Sequence, residues 1–182
     1  MNAAELLAFH DGGAAPSREA PWPAIEDNHQ ANSKLWEEED LARRRHAPDA
    51  QIVANKRAID ALNQRRNDAA ERVDEAFLQH FAGKMRDDAR LHSETPGMMV
   101  DRLSILALKI RAMGAQAART DANTAHLSAC RDKLARLREQ RSDLARCLEE
   151  LLADCAAGRA RFKAYRQFKM YNDPAFNPNL LK

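Results

Sequence analysis

The chain has 182 residues, 29 Lys and Arg against 27 Asp and Glu for a formal charge of +2, an aromatic fraction of 5%, and only 6 Gly and 7 Pro. That length allows one domain, and so few aromatic and turn-forming residues favour a mostly helical protein. The balanced charge argues against long-range attraction to nucleic acid or anionic lipid, and no apolar run of about 18 residues predicts a membrane-spanning helix.

Residues 2–10 form a short amphipathic helix in this reading, with Leu6, Leu7 and Phe9 on one side. DGGAAPSREAPWP then reads as a linker, so residues 1–23 make an N-terminal segment and 24–182 a single helical-bundle domain. MNAAELLAFHDGG lacks the basic start and apolar core of a signal peptide, and a cytoplasmic location is the expectation. A first long helix is predicted over 24–45, stopped by Pro48. A second runs over 49–82, capped by Asp49 and ended before Gly83.

Ser93-Glu94-Thr95-Pro96-Gly97 supplies a cap and an early Pro for a third helix, MMVDRLSILALKIRAM, which ends between Gly114 and Asp121. In the fourth helix Leu127, Cys130, Leu134, Leu137, Arg141, Leu144, Leu148, Leu151, Cys155, Gly158, Phe162, Tyr165 and Lys169 alternate at spacings of three and four. That seam is meant to lie along other helices. Asn172-Asp173-Pro174 ends it, and AFNPNLLK is a tail. The expected fold is all-α: an antiparallel bundle of four long helices with a short N-terminal helix and an irregular C-terminal tail. A coiled-coil homodimer is the competing use of the seam.

The second long helix carries an unusual polar stripe. Lys56, Asp60, Asn63, Asn67, Glu71 and Asp74 fall within a sector about 80° wide at 100° per residue. Ile59, Leu62, Ala69, Val73 and Phe77 form the neighbouring apolar face, with Arg66 inside it. Asn and Asp are poor helix formers because their side chains compete for backbone hydrogen bonds, so something besides helix formation asks for them. On the first long helix His29, Asn32, Trp36, Asp40 and Arg43 share a face, with Glu39 at its edge. A Trp in a polar stripe suggests that the stripe is partly inward-facing.

The third helix is apolar nearly all round, so Asp101, Arg102 and Lys109 must be paired or line a cavity. Arg66 and Arg141 at apolar positions call for a carboxylate or an anionic ligand. The candidate ligand-binding set is therefore His29, Asn32, Trp36, Asp40, Lys56, Asp60, Asn63, Arg66, Asn67, Glu71, Asp101 and Arg102. If a metal is held, Glu39, Asp40, Glu71 and Asp74 are the candidates. Cys130, Cys147 and Cys155 lie in one predicted helix without ligand spacing, which speaks against zinc and for a reducing compartment.

Four segments carry a resemblance: H-x-x-N-x-x-L-W-x-x-E-D-x-A-R at 29–43, K-R-x-I-D-x-L-N-Q-x-R-N-D-x-x-E-x-x-D at 56–74, E-T-P-G-x-M-x-D-R-L-S-I-L-x-L-K-I at 94–110, and Q-F-K-M-Y-N-D-P-x-x-N-P-x-L at 167–180. With them the chain resembles a bacterial family of unknown function, domain of unknown function forty-two fifty-four. The resemblance implies a helical protein of Gram-negative bacteria, encoded near glycosyltransferases of envelope polysaccharide or lipopolysaccharide assembly. It implies no activity and no catalytic residues.

Three functions compete. The first is an accessory or ligand-binding protein of envelope glycan synthesis, with sugar nucleotides, glycans or envelope glycosyltransferases as partners. There Arg66, Lys56 and Arg141 hold an anion, Asn63, Asn67, Asp60 and His29 bond hydroxyls, and Trp36 stacks on a sugar. The second is a Mg²⁺-dependent phosphate-ester or nucleotide hydrolase using Glu71-x-x-Asp74 with Glu39 and Asp40. The third is a structural interaction module whose stripe is a sealed network. Nucleic-acid binding through RARFKAYRQFK is weaker, since Phe162, Tyr165 and Phe168 lie on or beside the seam. Gly-x-Ser-x-Gly, Walker-type and Rossmann motifs are all missing, so catalysis is left open.

Overall fold

The computed structural model describes residues 1–167, Met170 and residues 174–181. Among them are five α-helices: α1 (Ala3–His10), α2 (Trp22–Ala42), α3 (Asp49–His80), α4 (Pro96–Ala117) and α5 (Thr124–Ala156). Two two-residue strands, β1 (Arg90–Leu91) and β2 (Ala160–Arg161), pair in parallel, and a short 3-10 turn covers Pro178–Leu181. α2 packs along α3 and α4 along α5, while both α2 and α3 also touch α4. No helix among the described residues is long and apolar enough to cross a membrane.

Each helix is set by its own inward stripe. α2 buries Trp22, Ile25, Asn28, Ala31, Asn32 and Leu35, a three-and-four spacing that keeps one face inward. α5 buries Cys130, Leu134, Arg141, Leu144, Leu148, Leu151 and Cys155, which is the expected seam, and it is covered within one chain. The core cluster joins these faces to Val73 and Phe77 of α3, Met99, Val100 and Leu103 of α4, and Leu6 and Phe9 of α1. α1 is thus part of the same core. Leu6, Leu103 and Leu148 are wholly buried, each contributing about 1.5–3 kcal/mol relative to exposure.

The start of α4 follows the expectation from its sequence. Thr95 caps it by accepting the amide of Met98 at 3.3 Å, and Pro96 occupies the first turn. Gly97 sits where α4 crosses α3: a Cβ there would lie 2.1 Å from the carbonyl oxygen of Ala70. Asp49 does not cap α3. Pro48 stands at the cap with no side-chain bond, and Asp49 lies in the first turn, where a negative charge suits the helix dipole.

The fourth predicted helix is shorter than its periodicity suggests. α5 stops at Ala156 because Gly158 takes φ +69°, the left-handed conformation that closes a helix. The amide of Arg159 returns to the carbonyl of Asp154 at 2.8 Å and that of Gly158 to Cys155 at 3.2 Å. The chain then turns away, β2 lies beside β1, and Phe162 is buried from an extended segment. Phe162 and Tyr165 fit the heptad spacing without being helical. Lys169, Asn172 and Asp173, which completed the expected seam and its stop, lie outside the described residues, as does Phe168.

Candidate functional site

The polar residues predicted on three helices divide into a closed network and an open groove. In the network, Asp101 Oδ1 accepts from the side-chain amides of both Asn28 and Asn32 at 2.9 Å. Asn32 Nδ2 has two protons and three acceptors in reach, the others being Asn28 Oδ1 at 3.2 Å and Ser104 Oγ at 3.1 Å. Ser104 Oγ in turn lies 2.8 Å from His29 Nδ1. A hydroxyl that accepts from Asn32 can either donate to that nitrogen or accept from it. Burial, then the charges of Arg111 and Arg141, hold the His29 pKa below its usual value, with Asp11 opposing. Asn28 and Ser104 are wholly buried, and Asn32 is nearly so.

Beside His29 lies His10 of α1, its ring centre 4.8 Å away. His10 is buried and neither ring nitrogen has a hydrogen-bond partner. Burial, reinforced by His29 and Arg141, lowers its pKa to about 3, so it is neutral. Arg141 holds this end of α1 by donating to Asp11 Oδ1 and the carbonyl of Leu7, both at 2.9 Å. Its seam position is therefore met by an internal carboxylate and carbonyl, and it is not an anion-binding residue of the groove.

The open groove centres on Arg66. One hollow, about 400 Å³, is lined by Arg66, Asn67, Glu71, Asp74, Asp101 and Arg102, and by Lys163, Tyr165 and Gln167 from the segment after β2. A second, about 460 Å³, is lined by Arg66 with Asn32, Trp36, Glu39, Asp40, Arg43 and Asn63. Arg66 is a wall of both. Its Nε has no hydrogen bond, and Asp101 Oδ1 is 3.8 Å away, too far for one. Its guanidinium donates one long hydrogen bond, to Asn67 Oδ1 at 3.4 Å.

The segment after β2 is tied to α3. Asn67 donates to Gln167 Oε1 at 2.9 Å, and the backbone amide of Gln167 donates to Glu71 Oε1 at 3.0 Å. Lys163, Tyr165 and Gln167 were invisible as site residues because RARFKAYRQFK reads as helix by periodicity. Asn28 and Thr95 were missed as well, although Asn28 stands one turn before Asn32 and so shares its face.

Not every candidate converges. Lys56 and Asp60 are exposed and pair with each other at i,i+4, outside both hollows. Arg102 pairs with Glu94 at the mouth of the first hollow. The four metal candidates do not gather: Glu39, paired with Arg43 at 2.7 Å, and Asp40 line the second hollow, while Glu71, engaged by Gln167, and Asp74 line the first. Asp74 is buried, accepting from Thr95 Oγ1 and the Gly97 amide, each at 2.6 Å. Burial, with Glu71 and Glu75 adding to it, raises its pKa to about 6 against those two donors. Among the described residues no group of three or more His, Cys, Asp or Glu is placed to hold a metal ion.

Cys130 and Cys155 are buried and Cys147 is exposed, all as free thiols, and burial pushes Cys155 up to about 11.

No curated protein and no solved structure matches the chain. One family model does, over residues 22–164, from the first residue of α2 to just beyond β2. The resembling segment 167–180 falls outside that match. The match covers most of the chain, and the protein belongs to the family described as Protein of unknown function (DUF4254).

Proposed function

We propose that this protein binds an anionic sugar or nucleotide sugar in the groove around Arg66, as an accessory or ligand-binding protein. The observation that carries this reading is the partly exposed Arg66 guanidinium, which walls both hollows and is held only by a loose ion pair, its buried Nε lying 3.8 Å from Asp101 Oδ1. Its nearest carboxylate oxygen already takes two amide donors. A guanidinium so placed favours a phosphate or carboxylate, to which it gives parallel hydrogen bonds. Asn63 and Asn67 offer amides for hydroxyl groups, and Trp36 and Tyr165 offer ring faces of the kind that sugars stack upon. The combined size suits a small ligand.

A role in envelope polysaccharide or lipopolysaccharide assembly, with its glycosyltransferases as partners, is what the resemblance implies; the groove chemistry is compatible with it. Reading the four long helices as an antiparallel bundle belongs to the same proposal, favoured by the short connections between α2 and α3 and between α4 and α5.

The test is calorimetric titration with sugar 1-phosphates, uronic acids and nucleotide sugars. One class should bind the parent, and Arg66→Ala should weaken it by about tenfold or more, with a smaller loss for Asn67→Ala. If a ligand binds the parent tightly and both variants bind it equally well, the proposal fails.

A further inference from the structure

A third hollow, about 540 Å³, lies between the end of α2, α4 and α5, on the other side of Trp36 from the Arg66 groove. Met113 and Leu137 give it an apolar floor, and the Trp36 indole, 36% exposed, stands in its wall. Its rim holds three cations, Lys109, Lys133 and Arg136. Among the described residues none of the three has a carboxylate partner. Asp40 is the one carboxylate in the lining, so three cations leave this apolar hollow with a net positive charge.

We propose that this hollow binds a nucleoside diphosphate, with its base on Trp36 and its phosphates at Lys109, Lys133 and Arg136. The ligand class follows from the mixture of groups. Inorganic phosphate would meet the cations and leave the apolar floor wet. A fatty acid would cover the floor and leave the amides of Gln116 and Gln140 facing hydrocarbon. A heteroaromatic base presents a flat apolar face to Trp36, Met113 and Leu137, and an edge of donors and acceptors to the two glutamines. The volume lies within the usual range for small-molecule sites. Trp36 and Asp40 wall both this hollow and the Arg66 groove, so a nucleotide sugar with its base here carries its sugar toward Arg66. That extension rests on the function proposed above; the nucleotide site does not.

Fluorescence and calorimetric titrations of the whole chain test this with UDP, ADP, GDP, uridine and inorganic pyrophosphate. Trp36 lines the hollow and Trp22 does not, so a ligand bound here acts on the emission of Trp36. At least one nucleoside diphosphate should quench saturably. Lys133→Ala combined with Arg136→Ala should weaken it by about tenfold or more, and Arg146→Ala, a surface cation paired with Asp143 outside the hollow, should leave it unchanged. All these side chains reach solvent, and circular dichroism verifies that the variants fold.

The inference is overturned if no diphosphate saturates, or if pyrophosphate binds as tightly as the nucleotides. It is also overturned if Arg66→Ala abolishes nucleotide binding while the Lys133/Arg136 double variant retains it. That last outcome places the nucleotide in the Arg66 groove and leaves the function proposed above intact.

Discussion

The backbone amide of Gly97 donates to Asp74 Oδ1 at 2.6 Å, fastening the first turn of α4 to the inner face of α3. The same carboxylate accepts the hydroxyl of Thr95, the residue that caps α4. One buried acid therefore serves two residues of the E-T-P-G segment, and the segment reads physically as a cap, a first-turn proline and a close crossing.

Gly97→Ala tests the crossing. The added methyl would sit 2.1 Å from the Ala70 carbonyl oxygen and 2.9 Å from the Asp74 carboxylate. The nearest obstacle is backbone, so α3 and α4 must separate. A loss of about 3 kcal/mol is expected in urea denaturation, with the slope unchanged. A loss under about 1 kcal/mol would show that the crossing yields.

Asp74 makes stability depend on pH in the direction opposite to that of most acids. Its folded pKa, about 6, lies above its ordinary value of 3.8. Its contribution is full below about pH 4 and is lost as pH rises through about 6, because the fold penalises the ionised form. Urea unfolding of Asp74→Asn across pH 4–7 should lack this component of the slope. Carboxyl NMR of Thr95→Val should show the Asp74 pKa higher still, since a donor to the carboxylate is gone. A value falling toward 4 would contradict the arrangement.

His10 works on the acid side. Its pKa is lowered to about 3, so below its ordinary 6.5 the unfolded chain takes a proton that the folded chain refuses. Stability from this group is full above pH 6.5 and falls as pH drops toward 3, by up to about 1.4 kcal/mol per unit. His10→Leu should flatten the acid limb and leave neutral stability equal or higher, since it removes two buried nitrogens with no partner. An unchanged pH profile between 4 and 6.5 would exclude this.

Arg141 anchors α1. Arg141→Met keeps the apolar stem and removes the donors to Asp11 and Leu7. Asp11 is half-exposed and rehydrates, so the cost should be modest, about 1–2 kcal/mol. Hydrogen exchange should accelerate in α1 before any other helix. Uniform acceleration throughout the core would show that α1 is not a separable unit.

Periodicity alone placed the helices, because a buried stripe at three-and-four spacing leaves its mark in sequence whatever it packs against. Pro48, Gly83 and Ser93–Gly97 likewise marked boundaries through backbone chemistry, which is local. The same logic misread 157–167: Gly158, Phe162 and Tyr165 keep the heptad spacing, yet a left-handed glycine turns the chain and sends Lys163, Tyr165 and Gln167 to α3.

Residue type also singled out Asn32, Arg66, Asn67 and Asp101 as strange for their helices. It could not say that Asn32 and Asp101 close on each other while Arg66, only loosely paired with Asp101, walls two hollows, nor that Lys56 and Asp60 answer only one another. Those outcomes depend on which helix lies opposite and at what distance. A side chain's chemistry is written in its own residue, but its partner belongs to another part of the chain, and only the packed fold chooses it.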